Sequence, residues 1–276
     1  MNSILLPTDF SNMADNALDY AISFAKDYTF DIHLLHTIML GTIGVAANSI
    51  YVEDSTEHLE LKAQEKMNEK IAALQSKYPE INFHSSIKFG TVFNSLEELC
   101  NEVKPILVIM GISGDGSTID KMIGSNAIHA MKFLNCPVLI IPKKGQYHTI
   151  QKIGLACDLK NVLNAIPIAP LKAFSKLFNA NVEVLHIDYH NKNFTSQTPV
   201  ELKNAEELFI DIPHTFHFIE DKDTQHAIDQ FIDSEQIDMM ITIPKKYSFF
   251  EQLFHKSASK EMAYHTHIPL LALHMS

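Results

Sequence analysis

Residues 4–9 read Ile4-Leu5-Leu6-Pro7-Thr8-Asp9, and residues 153–158 read Ile153-Gly154-Leu155-Ala156-Cys157-Asp158. Each is a short apolar run that ends in an acid and leads into a helical stretch. The likeness continues downstream. Ile32-His33-Leu34-Leu35-His36 matches Val182-Glu183-Val184-Leu185-His186, and Pro137-Val138-Leu139-Ile140-Ile141 matches Pro269-Leu270-Leu271-Ala272-Leu273. The separation is 149 residues at the first pair (Asp9 to Asp158), 150 at the second (His36 to His186) and 132 at the last (Pro137 to Pro269). Self-similarity of this kind means two tandem structural units. The fall from 150 to 132 shortens the second copy after its second strand, where the first copy carries Gly41–Ser55. The polar stretch Lys143–Ile150 marks the boundary, giving expected domains at 1–143 and 150–276. Half of a 276-residue chain is long enough to bury a core of its own.

Within the first copy, apolar periodicity alternates between strand and helix. Ser3–Pro7, Asp31–Thr37, Asn82–Phe89, Ile106–Met110 and Val138–Ile141 read as strands. Asn12–Lys26 reads as a helix, with Ala14, Ala17, Leu18, Ala21, Ile22 and Ala25 on one stripe and Ser11 as its N-cap. Thr56–Lys77, Val92–Val103 and Ser125–Leu134 read as helices, and Gly41–Ser55 and Gly111–Ile123 as loops. Continuous apolar strands joined by helices imply a parallel sheet covered on both faces. The expected fold class is therefore α/β: two tandem doubly wound domains, each with a five-stranded parallel sheet. Ligands of such sheets bind beyond the carboxyl ends of the strands, where strand order reverses.

Composition removes several function classes. The chain has 22 basic and 33 acidic residues, for a net charge of −11, and every basic residue is Lys. Arg leads in bidentate recognition of phosphate and guanine, so nucleic acid is not an expected partner. An arginine finger supplied from within the chain is excluded. No run approaches the ~18 apolar residues of a membrane span, and Met1–Pro7 has no basic leader before Asp9. Cys100, Cys136 and Cys157 form no CxxC pair, which fits reduced thiols in a cytoplasm better than a disulfide framework.

The richest stretch runs from Met110 to Asn126 and holds four of the nine glycines: Gly111, Gly114, Gly116 and Gly124. It follows an apolar strand and precedes a helix. Backbone N–H groups in that setting can cradle phosphates, and Ser125 at the helix start can donate to an anion favoured by the helix dipole. Equally, the glycines can serve a tight turn and a close helix–strand crossing. The spacing is neither a Walker A loop nor a dinucleotide-binding GxGxxG.

Gly111, two residues, Gly114, nine residues, then Gly124-Ser125 resembles the ATP-binding signature of the universal stress protein family. Pro7-Thr8-Asp9, the strand ending in His36 and the closing run Cys136–Pro142 are similar to that family as well. The resemblance spans the chain as two copies. It implies small cytoplasmic α/β proteins, often dimeric, some of which bind ATP and most of which have no assigned reaction. It would place Asp9 near the adenine and ribose, with Pro7 and Thr8 among the nucleotide-binding residues, and the backbone of Thr37 at the base. Gly111, Ser113 and Gly114 would line the ribose and phosphates, and Gly124, Ser125 and Asn126 would hold the phosphates. The implied ligand is ATP or a related adenine nucleotide, with Mg²⁺ accompanying it.

At an offset of 132 the second copy replaces Gly111 with Ile243, Gly114 with Lys246 and Gly124-Ser125 with Lys256-Ser257, keeping Asp158. It is expected not to bind ATP in the family manner, although Lys245, Lys246 and Lys256 offer charge to a different anion. Fifteen histidines raise a metal site, but HExxH is absent and His214 and His217 fall on opposite faces of a strand, so no metal is expected. Cys157 reads as a buried, inert thiol. The apolar last strands would be exposed sheet edges, so they are expected to pair within the chain as a pseudo-dimer, with a further homodimer open. Without Arg or an evident general base, turnover beyond slow ATP hydrolysis is not expected. The alternative function is an interaction scaffold that binds no nucleotide.

Overall fold

The computed structural model describes residues 2–39, 49–112, 125–143, 145–157, 159–188, 198–244 and 268–274. The first copy runs β1 (Ser3–Pro7), α1 (Asn12–Tyr28), β2 (Asp31–Ile38), α2 (Ser49–Lys77), β3 (Phe83–Phe89), α3 (Val92–Val103), β4 (Leu107–Gly111), α4 (Ser125–Phe133) and β5 (Val138–Ile141). The second runs β6 (Lys152–Ala156), a 3₁₀ turn (Val162–Asn164), α5 (Ile168–Phe178), β7 (Asn181–Asp188), α6 (Thr198–Leu208), β8 (His214–Glu220), α7 (Thr224–Glu235), β9 (Met239–Thr242) and β10 (Leu270–Ala272).

Ser11 caps α1 as expected, its hydroxyl accepting from the Ala14 N–H at 3.3 Å. Thr91 does the same for α3, accepting from the Asn94 N–H at 3.2 Å. One boundary differs from the sequence expectation. Helix α2 begins at Ser49, so the last part of the expected Gly41–Ser55 loop is helical. No Gly or Pro stands between Asn48 and Thr56 to stop the helix from extending backward. Residues 41–48 of that loop lie outside the described residues.

All strands belong to one ten-stranded sheet of order β3-β2-β1-β4-β5-β10-β9-β6-β7-β8. Pairing is parallel inside each copy. It is antiparallel at the centre, where Leu270, Leu271 and Ala272 face Ile140, Leu139 and Val138. The two five-stranded sheets are thus joined edge to edge, and the carboxyl ends of their strands emerge at opposite edges. Strand order reverses between β1 and β4 in the first copy and between β6 and β9 in the second.

The sheet buries a different core on each face. On one face a single cluster crosses the junction, from Ile4, Leu34 and Phe24 to Leu155, Val184 and Phe178. On the other, the first copy packs Leu96, Leu99, Met131 and Leu134 against β4 and β5, and the second separately packs Ile228, Phe231 and Ile232 of α7 with Leu185 and Met240. Helices α1 and α5 meet on the shared face, where Phe24 and Tyr28 stand 5.9 and 5.5 Å from Phe178 in edge-on geometry. The linker is fastened to both copies. The Tyr147 hydroxyl donates to Asp27, and Asp238 accepts from the backbone N–H groups of Gln151 and Lys152 at 2.7 and 2.8 Å.

Candidate functional site

The carboxyl ends of β1, β2 and β4 converge beside the point of strand reversal in the first copy. Chain direction there is set by the turn Pro7–Ser11. The Thr8 N–H is bonded to the Leu35 carbonyl at 2.8 Å, which locks the turn to β2. The Thr8 hydroxyl accepts from the Phe10 N–H at 3.1 Å, and Phe10 takes a left-handed φ of 62°. Asp9 accepts from the Ser11 N–H at 3.0 Å and is otherwise exposed. Partial burial works against its charged form, but hydrogen bonds from the Ser11 hydroxyl and N–H outweigh that and hold the carboxyl below its ordinary value. Asp9 therefore remains an anion that shapes the turn, while Ser11 provides the helix cap.

The sequence expectation passed over His36 as a working residue. Its Nδ1–H donates to the Thr8 carbonyl at 2.8 Å, and its ring lies 4.6 Å from that of Phe10. This ties the end of β2 to the turn after β1. The same device recurs in the second copy. There His186 Nδ1–H donates to the Cys157 carbonyl at 3.0 Å, and Leu159, with φ of 50°, donates its N–H to the Cys157 sulfur at 3.4 Å. The recurring histidine at each strand end was the available signal. Cys157 thus occupies the place of Thr8 as an acceptor in the turn, and it is half-buried rather than buried.

Gly111 closes β4 where α1 crosses it. A Cβ at this position would stand 2.7 Å from the Met13 carbonyl oxygen. The close helix–strand crossing is therefore a sufficient structural reason for this glycine. Thr37 lies near the end of β2, and its buried hydroxyl has no hydrogen-bond partner among the described residues. Ser125 and Asn126 open α4 and are exposed at its N-terminus. Pro7, Thr8, Asp9, Thr37 and Gly111 are thus placed at neighbouring strand ends. Ser113, Gly114 and Gly124 lie outside the described residues, as do Asp158, Lys245, Lys246, Lys256 and Ser257.

His214 and His217 face opposite sides of β8, as their spacing predicts. His214 packs 5.4 Å from Phe209, and His217 donates to Glu183 across the strand pair at 2.7 Å and packs 5.2 Å from Phe231. Among the described residues no three His, Cys, Asp or Glu side chains are grouped to hold a metal ion, and no helix is long and apolar enough to cross a membrane.

Comparison with known proteins follows the same division of the chain. The model of the universal stress protein family matches residues 1–142, the whole first copy. The chain belongs to the universal stress protein family. Universal stress protein MJ0531 of Methanocaldococcus jannaschii is 26% identical over 141 residues, covering 51% of this chain and 81% of that protein. Universal stress protein MJ0577 of the same organism is 26% identical over 153 residues, covering 51% and 94%. A universal stress protein crystal structure from Archaeoglobus fulgidus DSM 4304 covers 100% of this chain and 97% of its own, with TM-score 0.68 and 17% identity. That whole-length likeness is one of fold.

Proposed function

We propose that this universal stress protein binds one adenine nucleotide per chain, ATP with Mg²⁺, at the strand ends of its first copy. The observation that carries the reading is the Thr37 hydroxyl. Buried polar groups are nearly always hydrogen-bonded, yet this one has no partner among the described residues. The matching position in the second copy is Ile187, which packs against a hydrophobic cluster. The first copy keeps a polar atom exactly where the other has become apolar, and a nucleotide base is a partner that would satisfy it. The glycine spacing after β4 supports the same reading, as does the exposed N-terminus of α4, where Ser125 would donate to phosphate in the field of the helix dipole.

In this reading Pro7, Thr8 and Asp9 face the nucleoside, and the anionic Asp9 suits a ribose hydroxyl donor. Gly111, Ser113 and Gly114 border the ribose and phosphates, and Gly124, Ser125 and Asn126 hold the phosphates. The second copy, having Ile243 and Lys246 in place of two glycines, serves as a paired regulatory half. The functional units are 1–143 and 150–276, associated as a pseudo-dimer within the chain; the β5–β10 pairing supports this. The bound nucleotide acts as a signal in a stress response, with binding rather than turnover as the output.

The test is to denature the purified protein and quantify released nucleotide by HPLC, for wild type and Gly114→Lys. About one adenine nucleotide per wild-type chain, absent from the variant, supports the reading. A nucleotide retained equally by the variant refutes the assigned loop. A protein that carries no nucleotide and takes up none from millimolar MgATP is a scaffold instead.

A further inference from the structure

Helix α3 ends at Val103, and Lys104 closes it in a left-handed conformation with φ of 51°, its N–H bonded to the Cys100 carbonyl. The chain then turns through Pro105 into β4. On the neighbouring connection, α4 ends at Phe133 and the chain passes through Cys136 and Pro137 into β5. A cleft of about 210 Å³ opens between the two connections, lined by Cys100, Lys104, Pro105, Leu134, Cys136 and Pro137 among others. It lies at the amino ends of β4 and β5, at the edge of the sheet opposite the candidate nucleotide site.

The two thiols meet in this cleft. Cys136 is 6% exposed, donates to the Pro105 carbonyl at 3.4 Å, and shares both the cleft lining and one hydrophobic cluster with Cys100. Cys100 is half-buried. The second copy is an internal control. At the offset of 132, Cys100 corresponds to Ile232 and Cys136 to Ile268. These isoleucines are 3% and 5% exposed and share one hydrophobic cluster. The left-handed residue after the helix is also repeated, with Gln236 at φ of 55° where the first copy has Lys104. The backbone frame is thus the same in both copies. One fills it with two apolar side chains of a single cluster, the other with two thiols lining one cleft.

We propose that Cys100 and Cys136 form a reversible dithiol–disulfide site, oxidised by low-molecular-weight disulfides that enter this cleft. Cys100 is the attacking thiol, since it is the more accessible of the two. Its thiolate attacks one sulfur of an external disulfide, which forms a mixed disulfide on Cys100 and releases one thiol. The Cys136 thiol then gives its proton to solvent and attacks the Cys100 sulfur, expelling the second thiol. Two protein thiols lose two electrons and two protons, and the external disulfide becomes two thiols. The hydrogen bond with Cys100 and burial push the Cys136 thiol up, so it acts as a slow resolving group and stays inert until Cys100 is modified. The closed bridge ties the end of α3 to the connection entering β5, the strand that holds the two copies together.

The probe is oxidised glutathione, applied to the full-length reduced protein and followed by intact mass and peptide mapping. Expected is a chain lighter by two hydrogens, with a Cys100–Cys136 linked peptide and Cys157 still open to alkylation. Cys136→Ser should instead accumulate one glutathionyl group on Cys100. The double variant Cys100→Ile/Cys136→Ile, which copies the second repeat, should fold and neither lose hydrogens nor gain an adduct at those positions. Cys100 and Cys136 both remaining alkylatable after treatment would overturn the proposal. So would a linked peptide containing Cys157, or a glutathionyl adduct accumulating on wild-type Cys100 as it does in Cys136→Ser.

Discussion

Gly111 has no room for a side chain, because a Cβ would meet the Met13 carbonyl oxygen at 2.7 Å and that atom belongs to helix backbone. Gly111→Ala should therefore cost about 1–3 kcal/mol, as overpacking does, and urea denaturation would register it as a lower midpoint with unchanged slope. The second copy has Ile243 at this place, and there the helix differs too. The stretch that matches the start of α1 is instead a 3₁₀ turn, and the helix begins only at Ile168, behind Pro167. Losing the close crossing and losing the glycine are one change. At this scale the sequence showed its turn acids and glycines clearly. It hid the work of His36 and the meeting of Cys100 with Cys136, because both depend on contacts between segments far apart in the chain.

Elements were the most legible level. β1, α3 and β5 occupy the residues that periodicity assigned them, because alternation and capping are local signals. Cross-strand chemistry is different, since it depends on register. Glu183 on β7 is 3% exposed and accepts from His217 on β8 and from Asn181 at 2.8 Å. Glu235 on α7 faces His217 at 3.7 Å and Lys152 at 3.8 Å. Burial favours the neutral form of Glu183, but hydrogen bonds from His217 and Asn181, with the charges of His217 and Lys152, outweigh it and hold the carboxyl below its ordinary value near 4.5. A depressed carboxylate contributes stability above its unfolded value and loses it as pH falls through the folded one. Glu183→Gln should therefore destabilise by about 1–3 kcal/mol at pH 7. The gap to wild type should narrow once pH drops below 4.5, measured by thermal melts across pH. His217→Ala should cost a similar amount, because Glu183 would lose one of its two side-chain donors.

The whole molecule is one sheet built from two copies, and the apolar edges of β5 and β10 are satisfied by each other. Repeats in the sequence implied two units, and their exposed apolar last strands implied a need for partners. The aromatic contact of α1 with α5 was not legible, since nothing local marks Phe178 as the residue that reaches Phe24 and Tyr28. A sheet and a core that both cross the junction predict a single cooperative transition in calorimetry. Phe178→Ala should cost about 3–5 kcal/mol and broaden or split that transition by loosening one copy from the other. Within this near-symmetric frame the asymmetry we propose is functional: the first copy holds the candidate nucleotide site, while both copies supply the pairing edge.

That asymmetry is tested most directly by isothermal titration of MgATP into nucleotide-stripped full-length protein. The account predicts saturation at one nucleotide per chain, with binding lost in Gly114→Lys and weakened roughly tenfold in Ser125→Ala by removal of one charge-assisted hydrogen bond. Saturation at two per chain would contradict a degenerate second copy, and no binding would contradict the nucleotide site itself.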